Sequence, residues 1–148
     1  MGSEQSHALR LHLEKDISAP PERVFGAFAD AEQFRQWWGP SGFAVPQLRF
    51  DVEQGADYRI SMQPPEGEAF WLAGTFRVVE DSRRLIFTFV WEEPDPDDQE
   101  TVVTLTFSSV GAGTRVTLDQ EAFKTEPRLQ LHQDGWTETL QRLQRFLD

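Results

Sequence analysis

"SAPPERVFGAFADAEQFRQWWGP", residues 18–40, carries the start and stop signals of two short helices. Ser18 is placed to cap a helix, Pro20 and Pro21 suit a first turn, and Glu22 falls where the helix dipole is positive. Val24, Phe25 and Phe28 then recur at helical spacing. Asp30 can cap a second short helix, "AEQFRQWW", which Gly39-Pro40 must end. Trp37 and Trp38 would be about 100° apart on that helix and need not share a face. Phe34 and one tryptophan are expected to pin the helix to the core. The other, Trp38, is expected to reach the mouth of any internal cavity.

The segments on either side of this helix pair change period. Before it, "ALRLHLEKDI", residues 8–17, alternates Leu9, Leu11 and Leu13 against Arg10, His12 and Glu14, a half-buried strand. After it come strand patterns at regular intervals. "PQLRFDVE" alternates through Leu48, Phe50 and Val52, and "ADYRISMQ" through Tyr58, Ile60 and Met62, with "EQG" as the turn between them. "PPEGEA", residues 64–69, is a second turn. "FWLAGTFRVVED" is a longer strand. "SRRLIFTFVWEE" sets Leu85, Phe87, Phe89 and Trp91 on one face. "TVVTLTFSSV", the turn "GAG" and "TRVTLDQEAF" close the series. From Pro127 onward the period becomes three and four: Leu129, His132, Trp136, Leu140, Leu143 and Leu147 form one face of a helix of about twenty residues. Strands joined by tight turns favour an antiparallel sheet, and one long amphipathic helix must bury its stripe against it. The predicted fold class is therefore α+β: a curved antiparallel sheet of about seven strands around a long C-terminal helix, with two short helices after the first strand. Residues 8–148 read as one domain, and 1–7 as a mobile N-terminal segment.

Composition narrows the function. The 148 residues are 39% hydrophobic and 12% aromatic, with 12 Phe and 5 Trp against 1 Tyr. That is globular composition. The absence of cysteine excludes a disulfide framework, a thiolate metal site and a cysteine nucleophile. A formal net charge of -11 repels nucleic acid and anionic membranes. No apolar run reaches the roughly 20 residues of a membrane span. "MGSEQSHALR" has no charged segment followed by an apolar one, so a cytoplasmic location is expected.

Few residues invite chemistry. "EEPDPDDQE", residues 92–100, is acidic, but it lacks the mid-loop glycine and spaced glutamate of a calcium loop and reads as a solvated hairpin tip. His7 lies in the N-terminal segment and His12 on a polar strand face, neither at metal-ligand spacing. His132 differs, because it falls on the apolar stripe of the last helix, one turn before Trp136. It reads either as a core-edge histidine satisfied by a hydrogen bond or as a ligand-contacting group. Asp119 and Glu121 share a strand face and read as solvated. No metal ligand set, cofactor motif, nucleophile elbow or phosphate loop is present. Gly135, inside the last helix, marks a close approach or a bend. The aromatic stripe along the strands either fills a core or lines a pocket for a small apolar ligand.

The motifs "ISAPPERVFGAFAD" leading to "QWWGPSGF", "FDVEQGADYRISM", "LAGTFRVVEDSRRLIFTFVWE", "HQDGW" and "LQRLQRFL" carry a family resemblance. The chain resembles the bacterial single-domain relatives of the C-terminal domain of the heat-shock-protein-90 ATPase activator. These belong to the START-like (SRPBCC), birch-pollen-allergen-like superfamily with the helix-grip fold. The likeness runs from about residue 10 to 147. Gly74 with Phe76 and Gly135 with Trp136 match the family pattern. The usual double glycine before the third strand reads Gly55-Ala56, which would strain Ala56 if the second position needs positive φ.

The resemblance implies a hydrophobic ligand held between helix and sheet. The leading expectation is a non-enzymatic protein that binds a small hydrophobic or aromatic molecule, as a monomer or homodimer. The expected lining is Trp38, Phe43, Tyr58, Phe76, Phe89, Trp91, His132 and Trp136, with Tyr58 and His132 as polar handles. The alternatives are an interaction protein acting on a chaperone, as the family name implies, and a cyclase- or aromatase-like enzyme using the same cavity.

Overall fold

The computed structural model describes residues 9–148. His7 and the expected N-terminal segment lie outside them. The elements are β1 (Arg10–Ile17), α1 (Pro21–Ala29), α2 (Ala31–Trp37), β2 (Leu48–Phe50), β3 (Asp57–Met62), β4 (Phe70–Glu80), β5 (Arg84–Trp91), β6 (Thr101–Val110), β7 (Gly113–Glu121) and α3 (Glu126–Leu147). The seven strands form one antiparallel sheet in the order β1-β7-β6-β5-β4-β3-β2. Strands β2 to β7 follow one another as neighbours, and β1 closes on the last of them, Arg10 opposite Glu121 and Ile17 opposite Thr114. This is the α+β helix-grip arrangement. Among the described residues no helix is long and apolar enough to cross a membrane.

The alternation in each strand decides which side chains meet the helices. Leu11 and Ile17 of β1, Leu85 of β5, Leu105 of β6 and Leu118 of β7 are fully buried, while Arg10, His12 and Glu14 stay exposed. Helix α3 buries Leu129, Trp136, Thr139, Leu140 and Leu143, a stripe at helical spacing. Full burial of each such large apolar side chain contributes about 1.5–3 kcal/mol. Helix α1 brings Phe25 and Phe28 edge-on to Phe107 of β6, with ring centroids 5.6 and 5.5 Å apart.

Four local expectations change. Ser18 does not cap α1. Its backbone N–H donates to Gln144 of α3, and Pro20 occupies the cap position without a side-chain bond. Pro21, at the first helical position, brings the preset φ that suits a helix start. Strand β2 stops at Phe50, short of Val52. Positive φ in the β2–β3 turn falls on Gly55 (φ 92), so Ala56 carries no strain. Trp38 lies past the end of α2, in an extended conformation, and is not a helical residue. Asp30 does cap α2, accepting from the N–H of Gln33 at 3.1 Å.

Gly74 lets the Thr88 backbone and the Tyr58 ring approach β4 closely. A Cβ there would lie 2.0 Å from the carbonyl oxygen of Thr88 and 2.6 Å from the Tyr58 ring. Tyr58 therefore lies over a bare stretch of backbone. Its hydroxyl donates to the Thr88 carbonyl at 2.7 Å, and the Thr88 hydroxyl accepts from the N–H of Thr75 at 2.8 Å. Side chains thus complete the β4–β5 ladder where the backbones part.

Candidate functional site

The space between α3 and the sheet is unevenly filled. Toward β2 and β3 it is solid aromatic packing. Phe34 stacks on Phe50 at 4.2 Å, and Phe76 meets Tyr58 at 5.2 Å and Phe87 at 5.7 Å. At the other end a cleft of about 460 Å³ opens between α3, the Gly39-Pro40 corner and the ends of β3, β4 and β5. Six of the eight expected lining residues stand around it: Trp38, Phe43, Phe89, Trp91, His132 and Trp136. Tyr58 and Phe76 do not. They belong to the packed end with Phe50 and Phe87. Tyr58 is no polar handle for the cleft, because its hydroxyl is committed to the Thr88 carbonyl and burial pushes its ionisation far above the ordinary phenol range. Alternation places a side chain on the inner face but not at one end of it, which is why these two were misplaced.

His132 sits in a ring of aromatics. Its ring centroid is 5.0 Å from Phe123, 5.3 Å from Phe89 and 6.0 Å from Trp91. The Trp91 indole N–H points to its Nε2 at 3.5 Å, which leaves the proton of the neutral ring on Nδ1. Burial lowers its pKa to about 4, and the Arg128 guanidinium adds to the effect. His132 is therefore an uncharged polar edge of the cleft at neutral pH. That protonation state suits hydrogen bonding rather than acid catalysis.

Behind the cleft runs a buried polar chain. The Trp136 indole N–H donates to Oε1 of Gln120 at 2.8 Å, and Nε2 of Gln120 donates to the Thr101 hydroxyl at 2.8 Å. This holds the indole of Trp136 in one orientation. The Gly39-Pro40 corner is held from α3 as well. Arg142 donates to the carbonyls of Trp38, Gly39 and Pro40 at 2.9 to 3.0 Å, and Glu138 accepts from the N–H of Ser41 at 2.9 Å. Gly39 (φ 97) supplies the left-handed turn. Trp38 then stands edge-on to Trp136 with centroids 5.2 Å apart. Its Nε1 is buried and has no hydrogen-bond acceptor among the described residues.

The acidic hairpin between β5 and β6 is not a freely solvated tip. Arg128, in the first turn of α3, lies 3.0 Å from Asp95, 2.9 Å from Asp97 and 3.1 Å from Asp98. Thr125 donates to Asp97 at 3.0 Å, Lys124 to the Pro96 carbonyl at 3.0 Å, and Gln99 to the Ala122 carbonyl. The loop is strapped across the start of the helix and forms one rim of the cleft together with Glu93. On the far side of the sheet edge, Asp119 is tied to His12 at 2.7 Å, and the pair raises the His12 pKa. Among the described residues no group of acidic and histidine side chains could hold a metal ion.

Sequence reasoning missed Arg128, Arg142 and Gln120. Gln120 carried a signal, a polar residue at the inward position of an alternating strand. The two arginines looked like ordinary helix-surface charges.

Comparison with known proteins agrees with the fold. A structure from Chromobacterium violaceum superposes with a TM-score of 0.85 at 23% identity, covering 93% of this chain and 96% of its own. An AHSA1 protein structure from Silicibacter pomeroyi gives 0.83 at 29% identity, covering 93% and 96%. One from Nitrosomonas europaea gives 0.79 at 26%, covering 93% of each chain. No curated protein matches the chain in sequence. The family model described as activator of Hsp90 ATPase homolog 1-like protein matches residues 18–148, from the first helix through the long one that closes the cleft. The chain belongs to that family.

Proposed function

We propose that the protein binds a small hydrophobic or aromatic molecule in the cleft between α3 and the sheet, without carrying out chemistry on it. The observation that supports this is the cleft itself. Its volume of about 460 Å³ falls in the range of small-molecule sites, and its walls are mostly apolar, with seven phenylalanine and tryptophan side chains among them. The surrounding bonds fix those walls before any ligand arrives. Trp136 is held by Gln120, and the Trp38 corner by Arg142. Preorganised walls lower the ordering cost of binding. The neutral imidazole of His132 supplies a polar edge.

The test is a thermal-shift screen of neutral and charged aromatic compounds, followed by indole N–H spectra of the hits. A ligand present at 100 times its Kd stabilises by about 2.7 kcal/mol, a readily measured rise in Tm. A broad panel that neither raises Tm nor moves the Trp91 and Trp136 signals sinks this reading.

The family description favours a second reading, an interaction protein that stimulates a chaperone ATPase. Adding the protein to the chaperone of its own host and measuring ATP turnover tests it. An unchanged rate removes it.

A further inference from the structure

We infer that the ligand of this cleft carries a positively charged nitrogen, seated at the mouth between the aromatic walls and the acidic rim. This deepens the proposed function and rests on it.

The charge balance of the lining is one-sided. The ionised side chains facing the cleft are Glu93, Asp95, Asp98 and Arg128, three carboxylates against one guanidinium. Three carboxylates, Asp95, Asp97 and Asp98, surround the Arg128 guanidinium and more than offset its charge, although its buried Nε makes no hydrogen bond among the described residues. Glu93 takes part in none of the ion pairs found among the described residues, although it lies next to Glu92, which Arg59 neutralises. His132 contributes no positive charge at neutral pH. An anionic ligand would meet an excess of negative charge at close range, and a cation would be drawn in.

The walls match the same chemistry. Phe89 stands at 89° to Trp91, and Phe70 at 66° to Trp91, with centroids 5.2 and 5.3 Å apart. Trp38 stands at 80° to Trp136. These rings line one cleft, and an aromatic wall is a surface that attracts a desolvated cation. The molecule uses this chemistry at the rim already. The guanidinium carbon of Arg59 lies 3.8 Å over the ring of Trp71 and its nitrogens are bound to Glu92 at 2.6 and 2.8 Å. Trp91 and Glu93, the chain neighbours of Glu92, both line the cleft, an aromatic and a carboxylate, and among the described residues no arginine or lysine is paired with Glu93.

Three probes of similar shape test this: benzyltrimethylammonium, its neutral isostere neopentylbenzene, and the anion phenylacetate. Each is titrated into the whole protein, with the indole N–H signals of Trp91 and Trp136 as the readout. Benzyltrimethylammonium is expected to bind about tenfold tighter than neopentylbenzene, with phenylacetate the weakest. Glu93→Gln, at an exposed position, is expected to cut the advantage of the cation about threefold. Glu53→Gln, in the β2–β3 turn and away from the cleft, changes net charge equally and should leave it intact. If neopentylbenzene binds as tightly as the cation, or if both variants act alike, the inference is overturned while the cleft remains a binding site. If none of the three probes shifts either indole, and the broad screen also fails, the proposed function falls with it.

Discussion

Trp136 donates its indole proton to Gln120, a side chain with 0% exposure, across 2.8 Å between α3 and β7. Gln120 in turn satisfies Thr101. The pair joins helix to sheet behind the cleft and fixes one of its walls. Gln120→Leu leaves the indole N–H and the Thr101 hydroxyl without this partner, and a loss of about 1–3 kcal/mol in urea unfolding is expected. Trp136→Phe should also destabilise, by lost packing and by orphaning Oε1. The double variant should be more stable than the sum of the two losses predicts, since removing both partners leaves fewer unpaired groups. Simple additivity in the double-mutant cycle would show that the bond does not couple the two elements.

The adjacent tryptophans should respond differently to the same substitution. Trp37 donates to the Ala27 carbonyl at 3.1 Å in a buried setting, whereas Nε1 of Trp38 has no acceptor. Both rings are buried, at 1% and 5% exposure, so the area lost on conversion to Phe is similar. Trp37→Phe leaves a buried carbonyl unpaired. Trp38→Phe removes an orphaned donor. The first is expected to cost at least about 1 kcal/mol more than the second by chemical denaturation. A larger loss for Trp38→Phe would mean that its contact with Trp136 outweighs the missing bond.

This contrast also shows what the sequence could convey. The helix pair, the alternation of β1 and β5 and the stripe of α3 are legible because each depends on neighbours within a few residues. The stop at Gly39-Pro40 is legible for the same reason, as is the inward face of Trp136. The allocation of aromatics to the filled or the open end of the inner face is not. It depends on where α3 and the Trp38 corner lie over the sheet, and the contacts between them, such as Arg142 to the Trp38 carbonyl, span about a hundred residues. The strap of the acidic hairpin on Arg128 is hidden for the same reason. A charge run looks solvated until the opposite charge is brought to it by the fold.

Two glycines that match the family pattern should behave oppositely when changed to alanine. At Gly74 a Cβ would sit 2.0 Å from the Thr88 carbonyl oxygen, a backbone atom that cannot yield. Gly74→Ala is expected to displace Tyr58, break its bond to Thr88 and destabilise by several times the cost of an ordinary surface change, about 3 kcal/mol or more. At Gly135 a Cβ would meet Pro40 at 3.7 Å, ordinary contact distance. Gly135→Ala should raise stability by up to about 1 kcal/mol through helix propensity, while narrowing the cleft by a methyl group. Opposite shifts in Tm check this. A destabilised Gly135→Ala variant would indicate that the approach of Pro40 to α3 is tighter than it needs to be for contact alone.

The pH dependence of stability should show two separate windows below neutrality. His132 is held neutral in the fold, with a pKa lowered from 6.5 to about 4. In the unfolded chain it binds a proton near pH 6.5, so the unfolded state takes up more protons than the native one between these values. The contribution of His132 to stability is therefore largest above pH 6.5 and is lost as pH drops toward 4, by roughly 3 kcal/mol at most, while His12, whose pKa is raised by Asp119, acts in the opposite sense. Asp97 acts lower down. Its hydrogen bonds from Arg128 and Thr125 hold its pKa below the ordinary aspartate value. The stability it contributes is present above its unfolded pKa and is lost as pH falls through the depressed one. His132→Leu should flatten the first window and leave the second, whereas Arg128→Gln should weaken the second. Urea midpoints measured from pH 7.5 to 3 separate the two windows. Ring spectra of His132 provide the direct check, with protonation expected near pH 4. A ring that titrates near 6.5 would mean that water reaches the imidazole freely and that the aromatic ring around it does not exclude solvent.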